Sequence, residues 1–126
     1  MTKQEVTIYP LSDFDGLRRA GRLAAETLDY ITDFVKPGVS TGALDDLLEK
    51  FMRDNGGIPA NIGYHGFPKA SCISPNHVIC HGIPSYDKIL QSGDIINKGD
   101  GVFAVVLHLL DYPHLIICGC QEFDIV

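Results

Sequence analysis

Along residues 17–35 the apolar side chains fall at Leu17, Ala20, Leu23, Ala24, Leu28, Ile31 and Val35, steps of three and four that share one face of an α-helix. Ser12 and Asp15 stand ahead of them as S-x-x-D, so a capping-box start is expected there. Lys36-Pro37-Gly38 ends the run, because proline cannot continue the hydrogen-bond ladder. A second start follows at Ser40 or Thr41, and Leu44, Leu47, Leu48, Phe51 and Met52 line one face of a second helix. Asn55-Gly56-Gly57 closes it, since these residues tolerate the left-handed backbone that a helix C-terminus favours.

From residue 58 the periodicity changes. Short runs such as ASCIS, HVICHGI and GDIIN read as strands, and GYHGFP, SPN, IPS and QSGD punctuate them as turns. Two helices followed by several strands predict an α+β arrangement, with the helices packed on one face of an antiparallel or mixed sheet. There is no internal repeat and no low-complexity segment. All 10 Lys and Arg residues lie at or before Lys98, whereas residues 99–126 have none. That tail carries VFAVVLHLL and HLIICGC on either side of Asp111-Tyr112-Pro113. As a hairpin it would have a solvent face with little charge to block edge-to-edge pairing.

Composition narrows the function classes. With 126 residues, 45% apolar and 21% charged, the chain is sized for one soluble domain. A formal charge of −6 offers no basic surface to nucleic acid and no polybasic anchor to an anionic membrane. MTKQEVTIYPLSDFD lacks the apolar core of a signal peptide, and no run of about 18 apolar residues is present to span a bilayer, so a cytoplasmic location is expected. Cys72, Cys80, Cys118 and Cys120 would then be thiols, and their spacing fits the common zinc knuckles poorly.

The chemistry concentrates in CISPNHVICHGIP, residues 72–84, where His81 stands in an apolar, strand-like run just before Gly82 and Pro84. Taken alone, such a histidine is most simply a core or strand-end residue satisfied by a backbone partner. His65 has a similar setting in GYHGFP, however, and glycine beside proline lets a stiffened backbone approach a ligand closely. Two such loops suit a shallow pocket.

GYHGFPKASCIS, NHVICHGIP and SGDIIN, preceded by AGRLAAETLDYI and VKPGVSTGALD, resemble the N-terminal half of a type I methionine aminopeptidase over residues 14–97. The resemblance implies part of a pita-bread fold and removal of N-terminal methionine from nascent peptides by metal-activated water. It places His81 where the family hydrogen-bonds the scissile amide and the tetrahedral intermediate. Tyr64, Phe67 and Cys72 fall where the family lines the methionine pocket, a role that aromatic and sulfur surfaces suit; for the two aromatics the plainer reading is turn or core packing. His65 matches a supporting histidine, Asn61 stands where some members have cysteine, and Asn76 and Val78 match positions whose carbonyls can hold a monovalent cation.

The metal set departs from that pattern. The family holds two divalent metals (cobalt, manganese, iron or zinc are the candidates) with two aspartates, a histidine and two glutamates. Its first aspartate position is Gly99 here, and Asp100 comes one residue late, so it could serve as a ligand only if a bulge restored its direction. Near the second position stands Asp111, but its surroundings differ from the family's, and the role is not transferred. The remaining ligands belong to the family's C-terminal half. We therefore expect residues 1–13 to be an extension, 14–97 to be the aminopeptidase-like half and 98–126 to be a divergent apolar tail. A chain so truncated is expected to be inactive alone. The other reading is a non-catalytic fragment that binds a peptide, another copy of itself or a complementing C-terminal half through its uncovered sheet.

Overall fold

The computed structural model describes residues 8–98, 105–106 and 122–125. A 3-10 turn over Leu11–Asp13 leads into helix α1, Phe14–Thr32, and helix α2 spans Thr41–Asp54. The described strands are β1 Ile58–Pro59, β2 Ile73–Pro75, β3 Ile95–Lys98, β4 Val105–Val106 and β5 Glu122–Ile125.

Both helices form where the apolar spacing puts them, but α1 differs at its ends. No capping box forms: Asp13 is the cap residue, already helical in backbone and making no side-chain cap bond. Asp15 instead pairs with Arg18 at 3.1 Å on the surface. The helix stops at Thr32, short of Val35. Phe34 N–H donates to the Ile31 carbonyl at 2.9 Å and Val35 N–H to Thr32 at 3.2 Å, tight turns that unwind the chain before Pro37 restricts Lys36. α2 has both predicted ends. Ser40 is extended and its hydroxyl accepts from Ala43 N–H at 3.1 Å. At the far end Gly57 N–H reaches the Met52 carbonyl at 2.8 Å and Gly56 N–H reaches Arg53 at 3.1 Å. With Gly56 at φ +81° this is a Schellman closure.

The core lies between the helices and the segments that follow. Ala20, Leu23, Ala24, Leu28 and Ile31 of α1 and Leu44, Leu48 and Met52 of α2 cluster with Ala70, Ile73, Leu90 and Ile96. Tyr30 stacks on Phe51 at 4.3 Å along the edge of this core. β1 pairs with β4, and β2, β3 and β5 form a second sheet in that order; every described pairing is antiparallel. The fold is α+β, two helices with small antiparallel sheets.

HVICHGI is not a strand. Asn76 at φ +51° and His81 at φ +55° turn the backbone out of the extended region, and Ile79 between them is 87% exposed. Of the two apolar runs of the tail, Val105–Val106 pairs with β1; the other run and the turn of the expected hairpin lie outside the described residues. Among those described, no helix is long and apolar enough to cross a membrane.

Two substitutions test the packing. Leu48→Ala, at a side chain 1% exposed, should lower the unfolding free energy by about 2–5 kcal/mol in urea titrations. Gly21→Ala in α1, where an added Cβ meets nothing within 4 Å, should raise it by roughly 0.5–1 kcal/mol.

Candidate functional site

A buried carboxylate ties the chain beyond α2 back to that helix. Asp45 is 1% exposed and accepts from Ser71 N–H at 2.7 Å, from the Ser71 hydroxyl and, at 3.4 Å, from Ala70 N–H. Desolvation raises its pKa above the ordinary carboxylate value, and the Ser71 and Ala70 hydrogen bonds and nearby Lys69 offset this only in part. The start of α2 grips a second loop. Thr41 Oγ1 donates to the Ser85 carbonyl at 3.1 Å and accepts from Ser85 N–H at 2.9 Å, while Gly42 N–H donates to the same carbonyl at 3.0 Å. A Cβ on Gly42 would come within 2.8 Å of Tyr86 N, so this approach requires glycine. Tyr86 in turn donates to Asp46 at 2.6 Å, a bond that raises the pKa of the phenol, and Lys69 Nζ sits 5.0 Å from its ring centre.

β2 continues from Ser71 and holds the His81 loop. Ile73 N–H donates to the Gly82 carbonyl at 2.9 Å, and Gly82 N–H donates to Ser74 Oγ at 3.0 Å. Any Cβ on Gly82 would run into the Ile73 carbonyl, so only glycine lets the loop lie this close to β2. His81 therefore does not end a strand, as its apolar neighbours imply. It is an exposed, left-handed residue immediately before a backbone clamp.

His65 has the same backbone character. It sits at φ +47° in the 3-10 turn Tyr64–Gly66, flanked by Gly63 at φ +81° and Gly66 at φ +80°. Tyr64 meets its ring edge-on at 4.3 Å. A non-glycine residue in this region costs about 1–3 kcal/mol and persists only where its surroundings dictate it.

The two histidine loops face each other across a cleft of about 400 Å³ lined by Asn61, Tyr64, His65, Gly66, Phe67, Pro68, Cys72, His81 and Ile83. Tyr64, His65, Phe67, Cys72 and His81, the residues singled out from the sequence, thus share one cavity with Asn61. Pro68 and Ile83 were not singled out, although each belongs to one of the two motifs, YHGFP and HGIP. Asp45 was missed too. Its signal is the spacing Thr41, Asp45, Leu48, Met52, which puts a carboxylate on the buried face of α2. Asn76, away from the cleft, locks the turn before β3: its N–H donates to the Ile95 carbonyl at 2.7 Å and its Nδ2 to Asp94 at 3.0 Å. The Asn76 bond, with one from Gln91 N–H, lowers the pKa of Asp94.

Gly99, Asp100 and Asp111 lie outside the described residues. Among those described, no three His, Cys, Asp or Glu side chains come together in a way that could hold a metal ion. The donors present in the cleft therefore do not fit a dinuclear centre.

Comparison with known proteins bears on the whole of this segment. The sequence profile described as metallopeptidase family M24 matches residues 15–101. A methionine aminopeptidase of Rickettsia prowazekii is 54% identical over 92 residues, covering 73% of this chain and 35% of the relative. That of Escherichia coli K12 is 48% identical over 93 residues, with the same shares. The chain thus spans about a third of the length of these relatives. The crystal structure of the Rickettsia prowazekii methionine aminopeptidase superposes with a TM-score of 0.71 at 53% identity, covering 75% of this chain and 38% of that one.

Gly82→Ala should destabilise the fold by at least about 1–3 kcal/mol, because backbone and not a flexible side chain occupies the space; denaturant titration measures it. Asp45 titrates with the opposite sign from a salt-bridged carboxylate. Its folded pKa is raised, so its contribution is fully present below its ordinary value of 3.8 and is lost as pH rises through the raised value. Asp45→Asn should remove that component from the urea midpoint measured against pH, and a curve of unchanged shape would contradict the assignment.

Proposed function

The chain belongs to metallopeptidase family M24, and from that premise we propose that its cleft receives the N-terminal methionine of a peptide, as in the methionine aminopeptidases it is similar to. The supporting observation is the convergence of Tyr64, Phe67 and Cys72 with both histidines on one cavity. Aromatic rings, a thiol and Ile83 give a thioether side chain polarisable walls. His81 stands exposed at the margin, where its imidazole can donate to the carbonyl or amide of the first peptide bond, and His65 supports the wall beside Tyr64. Residues 14–97 carry this recognition half, with residues 1–13 as an extension and 98–126 as a divergent tail. Nascent peptides in the cytoplasm are the partners this chemistry fits.

Family M24 implies divalent metal, with cobalt, manganese, iron and zinc as candidates. A metal activates water for attack on a carbonyl, which is the chemistry it would supply. The described residues do not form its ligand set, and we assign them recognition and no hydrolytic step. Asp100 is the carboxylate we propose for the metal.

A second reading is favoured by exposed apolar side chains around the cleft and sheet. Ile79, Ile83 at 58% and Ile95 at 52% exposure suit a covering partner, either a second copy or the remainder of a longer aminopeptidase. Light scattering should then give an oligomer; a sharp monomer peak would count against it.

Burying a methionine side chain is worth about 1.5–3 kcal/mol, so Met-Ala-Ser should bind at least about tenfold more tightly than Ala-Ala-Ser by calorimetry. Equal affinities would defeat the methionine-pocket reading. Methionine release should be absent with each candidate metal supplied to the folded chain alone. Release abolished by chelator would instead show that a competent metal set exists.

A further inference from the structure

We propose that Asp45 is a positioning residue for the cleft: its carboxylate fixes the path of residues 70–74 and so sets the Phe67–Cys72 wall relative to His81. Its geometry stands on the hydrogen bonds alone, while its consequence for peptide binding rests on the methionine-recognition reading above.

Ala70 and Ser71 precede β2 and take no part in its ladder, yet both are fully buried. Their N–H groups need acceptors, and burial denies them water. Asp45 accepts from both, and from the Ser71 hydroxyl as well. Three donors converging on one side chain call for a group that only accepts. A carboxylate fits; an asparagine would turn its own NH₂ toward one of the donors.

From this anchor the chain has no slack. Cys72 follows directly and lines the cleft. Ile73 and Ser74 come next, and both hold Gly82, the neighbour of His81. A line of short contacts thus runs from α2 through both walls of the cavity, and the side chains of Asp45, Ser71 and Ser74 on it are all buried. Lys69 and Tyr86 are the charged or titratable groups that act on Asp45 through space, and Asp46 holds Tyr86 from the exposed side of α2.

The test uses the full chain, with folding checked by circular dichroism, and iodoacetamide labelling resolved by peptide mass spectrometry. In Asp45→Asn, Cys72 should label about tenfold faster or more, the equivalent of one charged hydrogen bond, while exposed Cys80 changes less than about twofold. Ser71→Ala, which removes only one of the three donors, should accelerate Cys72 by a smaller factor, and it carries the test if Asp45→Asn does not fold. Leu48→Ala separates positioning from general loosening: it loses stability in the core but should not expose Cys72 selectively. Wild-type labelling of Cys72 in a folded Asp45→Asn protein, or equal acceleration in Leu48→Ala, would overturn the proposal. Met-Ala-Ser affinity should also fall about tenfold in Asp45→Asn, again one charged hydrogen bond. If the wild-type chain binds no such peptide, the recognition reading fails, and Cys72 labelling still decides the role of Asp45.

Discussion

Backbone N–H groups that are buried outside a ladder must still find acceptors, and at Ala70 and Ser71 the acceptor is the carboxylate of Asp45. That requirement puts an ionisable group on a buried helix face otherwise made of Thr41, Gly42, Leu44, Leu48 and Met52. Its desolvation is costly enough to raise the pKa, so the hydrogen bonds it accepts do not fully offset burial. What the arrangement achieves is location. The segment that carries Cys72 into the cleft is fixed to a helix whose own ends are closed by Ser40 and by Gly56.

The cleft itself is built from backbone that few residues adopt readily. His65 and His81 are both left-handed, and glycines stand beside each of them. Strain of about 1–3 kcal/mol per residue has to be imposed by neighbours, and the clamp from Ile73 and Ser74 onto Gly82 imposes it at His81. The imidazole is thus carried on a loop that β2 holds through the residue next to it. Ile79 and Ile83 on this loop stay exposed, although Gly82 is held against β2.

Much of this was legible beforehand, for reasons that differ by element. α2 was readable at both ends because its cap, its apolar spacing and its glycine closure are local, and local signals need no tertiary partner. The two histidine loops were readable because GYHGFP and CHGIP combine histidine with residues that bend and stiffen backbone, whereas Tyr64, Phe67, Cys72 and Asn61 were singled out by the resemblance to methionine aminopeptidases. HVICHGI was misread as a strand, since its apolar content suits one and nothing in its composition reveals that His81 turns left-handed; Asn76 lies in SPN, which reads as a turn. The start of α1 misled in a similar way: Ser12 and Asp15 have capping-box spacing, but a 3-10 turn over Leu11–Asp13 replaces the cap. Asp45 was overlooked because a single acid on a helix reads as solvated surface until the donors of a segment 25 residues away are placed against it.

The most direct test of a methionine pocket between the two histidine loops is a nuclear Overhauser measurement on Met-Ala-Ser carrying a ¹³C-labelled ε-methyl group. Contacts from that methyl to the rings of Tyr64 and Phe67, with His81 shifted on binding, are expected. A methyl whose contacts fall on the helices, with His81 unmoved, would contradict the assignment of the cleft.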